Sequence, residues 1–226
     1  MARTYRALAL MLSYPSEAFA ELMPAAAEAI EAETVLPEKQ RARLAALARA
    51  LGARELYGLQ SAYVDLFDRT RSLSLNLYEH VHGESRDRGQ AMVELLKLYE
   101  SRGLELTAKQ LPDHLPVFLE FLSLLPEEEA EALLGEAAHV VEALRERLRR
   151  RRSPYARVFD ALVALAGPRS VSADVLATLL REPDDDPDDL EALDRAWAEE
   201  QVTFGPDKVG CPKAEAMVKA MRQEAS

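Results

Sequence analysis

Residues 126–152 read PEEEAEALLGEAAHVVEALRERLRRRR, and this stretch decides the fold class. Its apolar residues recur every three or four positions, at Leu134, Ala137, Val141, Leu144 and Leu148, which is the spacing of one buried face of an α-helix. Glutamates stand at the end where the helix dipole is positive, and arginines stand at the end where it is negative. The stretch therefore predicts one long amphipathic helix over 127–152.

The composition of the whole chain favours helices as strongly as this stretch does. The 226 residues include 37 alanines and 36 leucines, but only 14 valines, one isoleucine and six threonines. Alanine and leucine are good helix formers, whereas the scarce β-branched residues are those that strands favour. An extensive sheet is therefore not expected, and the fold class is predicted to be all-α.

The same periodicity, interrupted by prolines and glycines, predicts helices along most of the chain. We expect Pro24 to kink or split the second helix, and Asp113 to cap the helix that carries Phe118 and Phe121. The predicted spans are 4–14, 16–33, 37–52, 54–69, 86–102, 113–125, 127–152, 154–167, 172–181 and 188–201. These roughly ten helices predict a single compact domain over 1–204, with 205–226 as a mobile C-terminal tail.

The charge of the chain limits its partners. The formal net charge is −11, which disfavours nucleic acid and anionic lipid surfaces and favours neutral or basic partners. Cys211 is the single cysteine, so neither an intrachain disulfide nor a cysteine cluster for zinc or iron–sulfur is possible. No apolar run is long enough for a membrane span or a signal core. We expect a cytoplasmic protein without membrane insertion.

Residues 70–84 interrupt the helical rhythm. Serines and an asparagine alternate with Leu73, Leu75 and Leu77, and the sequence YEHVHGE follows at 78–84. Alternation of this kind is typical of a strand, but no partner strand is evident in the sequence. We therefore predict an ordered, partly buried loop.

Histidines and carboxylates in this loop form the best metal candidate in the sequence. His80 and His82 with Glu79 and Glu84 offer ligands that suit zinc or iron, and a metal-dependent helical enzyme is the alternative function. A His-x-His pair points to one side only on extended backbone, and the competing interpretation is that both imidazoles form hydrogen bonds within the loop. No resident metal or other cofactor is expected.

Three other charged or reactive motifs have simple structural interpretations. Arg149–Arg152 lies at a helix end without interleaved aromatic residues, so a solvated end is expected rather than a nucleic-acid site. The run Asp184–Asp189 lacks the glycine and glutamate of a calcium loop, and we expect a solvated turn. No base stands near Cys211 in the sequence, and no nucleotide-binding glycine motif or nucleophile elbow occurs. No catalytic residues are therefore predicted.

Two polar segments remain, Glu79–Arg88 and Leu111–Pro116. One interpretation is structural: Asp113 caps its helix and the charged residues form ion pairs over the loop. The other is a recognition surface for a partner helix, since mixed charge lies beside Leu75, Leu77 and Tyr78. The residues alone leave both interpretations open.

These segments carry a resemblance to a known family. The sequences YVDLFDR at 63–69, EHVHGESRDRGQAM at 79–92 and LPDHLP at 111–116 resemble the assembly chaperones of respiratory nitrate reductase, which belong to the TorD-like family of molybdoenzyme chaperones. Weaker similarity extends to 12–15 and 197–204. The resemblance implies an all-helical TorD-like fold without enzymatic activity or a cofactor of its own.

The resemblance also implies a client. Members of this family bind the N-terminal region of the nitrate reductase α subunit in the cytoplasm, keep it competent for insertion of molybdenum cofactor and iron–sulfur clusters, and are absent from the finished enzyme. Since the charge of this chain is −11, we expect the client segment to be basic and amphipathic. We expect an apolar groove to hold it, because Phe118 and Phe121 cannot both lie on a narrow core stripe. The candidate client-binding residues are Leu75, Leu77, Tyr78, Glu79, His80, His82, Glu84, Arg86, Asp87, Arg88, Asp113, His114, Phe118 and Phe121.

Overall fold

Helices supply the regular structure in the computed structural model, which describes residues 1–82, 86–106, 110–167 and 173–181. In these ranges the α-helices are α1 Ala2–Leu12, α2 Phe19–Ala32, α3 Glu38–Gly52, α4 Leu56–Tyr63, α5 Leu77–His82, α6 Arg86–Ser101, α7 Leu115–Leu122, α8 Glu127–Glu136, α9 Ala138–Arg150, α10 Ala156–Leu165 and α11 Ala173–Leu179. A π-helical turn at Val64–Asp68 and a 3-10 turn at Arg71–Leu73 complete the list. The all-α prediction is confirmed: the described residues contain no strand.

The hydrophobic core joins both halves of the described chain. Helix α1 packs against α2 and α7, α2 packs against α3, and α9 packs against α10. Tyr5, Leu8 and Met11 of α1 are fully buried in this core. At the end of α3, a Cβ on Gly52 would stand 2.7 Å from the Cβ of Met23, so α2 and α3 approach more closely than a larger residue would allow.

Several predicted helices have other boundaries than expected. The stretch 127–152 is two helices, because Ala137 leaves helical geometry at ψ 0°. The predicted helix 54–69 is α4 followed by the π-helical turn. Helix α2 begins at Phe19 and continues through Pro24 without a break, so Pro24 does not split the helix, and the alternative of a kink stays a prediction.

Residues 70–82 of the predicted loop 70–84 are more regular than expected, since they contain the 3-10 turn and α5. The predicted helix 172–181 is confirmed as α11. The predicted helix 188–201, the aspartate run, Cys211 and the tail 205–226 lie outside the described residues. None of the described helices combines the length and apolarity needed to cross a bilayer.

A buried arginine joins three parts of the fold. The side chain of Arg147 on α9 is 2% exposed. Its Nη1 donates to the carbonyl oxygen of Ser72 at 2.6 Å, and its Nη2 donates to the carbonyl oxygen of Leu179 at 2.5 Å. Through these two hydrogen bonds, Arg147 connects the 3-10 turn and the end of α11 to α9.

Candidate functional site

The two polar segments of the sequence meet in the structure. Asn76 and His114 form an isolated antiparallel bridge. The amide of Leu115 donates to the carbonyl of Leu75 at 2.8 Å, and the amide of Leu77 donates to the carbonyl of Asp113 at 3.0 Å. The alternating stretch thus has a partner after all, although the pairing is too short to form a sheet.

Asp113 caps a different helix from the one that the sequence indicated. The N-cap residue of α7 is His114, and α7 has no side-chain cap. The fully buried Asp113 instead accepts a hydrogen bond from the amide of Tyr78, at 3.1 Å, through its Oδ2. This contact satisfies an amide in the first turn of α5. Burial raises the pKa of Asp113, and the nearby Arg88 guanidinium partly opposes that rise.

Two substitutions of Asp113 distinguish the contribution of its capping hydrogen bond to stability from the contribution of its negative charge. In Asp113→Ala the amide of Tyr78 loses its acceptor, and we expect unfolding to become easier by about 1–2 kcal/mol. Asp113→Asn retains an acceptor and removes a buried charge, so its stability at pH 7 should stay within about 0.5 kcal/mol of the parent. Urea unfolding of both variants measures this. An Asn variant as unstable as the Ala variant would show that the carboxylate charge matters and the cap does not.

His114 makes stability depend on pH. Burial lowers the pKa of its imidazole to about 4, whereas an exposed histidine titrates near 6.5. Because the folded protein binds this proton more weakly than the unfolded chain, the free energy of unfolding is unaffected above pH 6.5. It falls by about 3 kcal/mol as the pH is lowered to 4. The raised pKa of Asp113 acts with the opposite sign.

Comparison with His114→Gln isolates this effect, since the variant keeps Asp113 but has no imidazole to protonate. We expect the free energy of unfolding of the parent, relative to that of the variant, to fall by about 3 kcal/mol between pH 7 and pH 4. Urea titrations at several pH values measure it. Parallel pH profiles for the two proteins would contradict this account.

A polar network stabilises the chain just before α5. Ser74 Oγ donates to Glu79 Oε2 at 2.7 Å, and Arg71 Nε lies 3.5 Å from Glu79 Oε1. The Nε2 of the buried His80 lies 2.7 Å from the carbonyl oxygen of Ser74. Since a carbonyl only accepts, this nitrogen carries the proton and has no lone pair for a metal. No group of three or more potential metal-ligating side chains occurs among the described residues.

An apolar cavity of about 250 Å³ opens beside α5. It lies where α5, α6, α8 and α9 come together with α7. Its lining residues are Leu77, Tyr78, Val81, Glu94, Leu95, Leu98, Phe118, Leu133, Glu136, Ala137, His139 and Val140. Most are hydrophobic, and the two exposed carboxylates come from α6 and α8. The cavity can therefore accept apolar side chains while carboxylates attract neighbouring cations.

Tyr78 and His139 are the titratable groups that are partly buried in the lining. Burial raises the pKa of the Tyr78 phenol, and the carboxylates of Asp113, Glu136 and Glu94 raise it further. Burial also lowers the pKa of His139. Both groups are therefore neutral near pH 7, and the charge of the lining comes from its carboxylates.

Only part of the predicted apolar set lines this cavity. Leu77, Tyr78 and Phe118 do so, whereas Leu75 and Phe121 are buried outside the lining, at 3% and 4% exposure. Phe118 and Phe121 are both buried, and they do not need to share a narrow core stripe, because α7 is covered on nearly every side.

The predicted polar residues are divided between the network and the start of α6. Asp87 and Arg88 lie in the first turn of that helix. Glu84 and the side chains of His82 and Arg86 lie outside the described part of the chain. The structure therefore brings Glu79, His80, Asp113 and His114 close to one another around α5.

Sequence reasoning missed the far wall of the cavity. Leu133 stands immediately before Leu134 and thus off the core stripe, which is a signal of a second apolar face on α8. Glu94 and Glu136 gave no such signal, because exposed glutamates are ordinary on helices. Only the packing of α6 against α5 and of α8 against α9 reveals that they flank one cavity.

Comparison with known proteins gives a consistent result. Residues 33–161 match the family model described as nitrate reductase delta subunit. The chain is 45% identical to the nitrate reductase molybdenum cofactor assembly chaperone NarJ of Escherichia coli K12, covering 89% of this chain and 84% of NarJ. The chain is also 47% identical to the probable nitrate reductase molybdenum cofactor assembly chaperone NarW of Escherichia coli K12. That match covers 66% of this chain and 63% of NarW. A Bacillus subtilis probable NarJ is 29% identical, with 71% of this chain and 86% of that protein covered.

Proposed function

Because the chain belongs to the nitrate reductase delta subunit family, whose similar members are named assembly chaperones and not enzymes, we propose that it assists the assembly of a respiratory nitrate reductase. Its client is the catalytic α subunit of that enzyme. It keeps the apoenzyme competent for insertion of molybdenum cofactor and iron–sulfur clusters before membrane docking. The chaperone acts in the cytoplasm and leaves before the enzyme is finished.

The apolar cavity is the observation that supports a client site. The cavity volume of about 250 Å³ is enough for one or two large side chains, but not for a folded domain of the client. An amphipathic helix presents such anchors at positions three or four apart, which is how helices dock in grooves. We propose that the N-terminal segment of the α subunit inserts its apolar face here.

The charge around the cavity supports a basic client segment. Glu94 and Glu136 flank the cavity on α6 and α8, and the chain as a whole carries −11. Long-range attraction of this kind mainly accelerates association and weakens as salt is added. Each buried anchor contributes about 1.5–3 kcal/mol in gross terms, and immobilising the segment removes part of it. An affinity of about micromolar order follows, which permits release of the client.

Assembly of the client tests the proposed function. Nitrate reductase is produced in cells with and without the chaperone, and the purified enzyme is assayed for molybdenum and for nitrate reduction. We expect molybdenum content and activity to fall severalfold without the chaperone although the α subunit is still made. Full molybdenum content in its absence would overturn the proposal.

A further inference from the structure

A second cavity, of about 760 Å³, lies where α9 and α10 meet the start of α3. It is lined by five cationic side chains, which are Lys39, Arg43, Arg145, Arg149 and Arg157. Among the described lining residues Asp160 is the single carboxylate, and it pairs with Arg149, while Arg145 pairs with Glu142 outside the lining. The described lining of this cationic cavity therefore carries five positive charges and one negative charge, on a chain of net charge −11.

Most of these cations lack a neutralising group. Within the described residues, Lys39, Arg43 and Arg157 form no ion pair. Arg145 has a buried Nε–H without an acceptor in the same part of the chain. Like charges held around one concave surface repel each other, and an anion seated between them would relieve that repulsion and supply the missing acceptor.

One further feature of the lining favours an anion, and a second favours a ligand that also has an organic part. Helix α3 begins at Pro37 without a side-chain cap, and Pro37, Lys39 and Gln40 belong to the lining. The positive pole of a fifteen-residue helix therefore adds to the cationic field. On α10, Val163 and Ala164 provide an apolar part of the wall. The volume lies in the range of small-molecule sites.

We propose that the cationic cavity binds a phosphate-bearing small molecule of about nucleotide size. The phosphates contact the arginines of α3, α9 and α10, and the organic part lies against Val163 and Ala164. A concave site of this size suits a small ligand better than a nucleic acid, whose backbone the rest of this acidic chain repels. The site is separate from the apolar cavity, so the inference does not depend on the client proposal.

Calorimetric titration of the full chain with inorganic pyrophosphate, and separately with ATP, tests the proposal. We expect saturable one-to-one binding below about 1 mM. Arg43→Gln combined with Arg157→Gln should weaken it about tenfold or more. Both residues are exposed and lack ion pairs in the described structure, so the double variant should fold. The matched control is Arg54→Gln with Lys97→Gln, which removes the same charge from exposed positions outside the cavity.

The two probes distinguish the sources of the phosphate. Binding of ATP several times tighter than pyrophosphate supports a nucleotide-like ligand that uses the apolar wall, and equal binding would contradict the proposed contact of an organic part with Val163 and Ala164. No saturable binding of either probe, or equal weakening in the control variant, would overturn the proposal. Binding of a polyaspartate peptide without binding of pyrophosphate would also overturn it, in favour of an acidic protein segment.

Discussion

Val81→Arg is expected to weaken binding of the N-terminal peptide of the nitrate reductase α subunit about 30-fold or more. Val81 lines the apolar cavity and is 48% exposed, so an arginine there can extend toward solvent without disturbing the core. It removes an apolar contact and places a cation where the proposed basic segment must approach. Calorimetric titration with a synthetic peptide measures the change.

Val93→Arg is the matched control. Val93 is 46% exposed and lies on α6, which also contributes to the cavity, but it is not part of the lining. We expect its affinity for the peptide to stay within about twofold of the parent. Equal losses in the two variants would mean that added positive charge, not the cavity, governs binding. No loss in either would exclude the cavity as the client site.

Arg147→Ala is expected to lower the free energy of unfolding by about 3–5 kcal/mol. The substitution removes two hydrogen bonds from a charged side chain to the carbonyls of Ser72 and Leu179 and opens a void in the core, and each such hydrogen bond contributes about 1.5–3 kcal/mol. Arg147→Lys keeps the charge but not the fork of donors, so it should be intermediate in stability. Urea unfolding measures the three proteins.

Arg150→Ala, at the last residue of the same helix, provides the control. Arg150 is about half exposed and pairs with Glu146 within one helix, so its loss should cost at most about 0.5 kcal/mol. Hydrogen exchange should also accelerate in residues 70–74 and in α11 of the Arg147 variant, because that side chain fastens them to α9. If Arg147→Ala were no less stable than Arg150→Ala, Arg147 would not have this role.

The helices were predictable because their signals are local. Periodic apolar residues such as Leu144 and Leu148, and glycines after helix ends, act within a few positions of the chain. Arg147 illustrates what local reasoning overlooks, since it lies on the buried face of α9 beside Leu148. A charged residue on a core stripe was a signal, but the carbonyls that it contacts come from residues 75 positions earlier and 32 positions later.

The region around α5 was predicted less well because it depends on distant partners. The first turn of α5 is capped by Asp113, 35 residues away, and the bridge to His114 determines where the helix begins. A six-residue helix has little stability of its own, so the sequence at 77–82 alone did not indicate it. Similarly, Asp113 stands in the right place to cap α7, and only the fold shows that it caps α5.

Site-specific photo-crosslinking in cells tests the claim that the apolar cavity receives the start of the α subunit. A photoreactive phenylalanine analogue replaces Val81 in one strain and Tyr57, which is 78% exposed and outside the lining, in another. In cells producing nitrate reductase, we expect an adduct between position 81 and the N-terminal segment of the α subunit, identified by mass spectrometry. No adduct at position 81, or an equal yield of the same adduct at position 57, would contradict the claim.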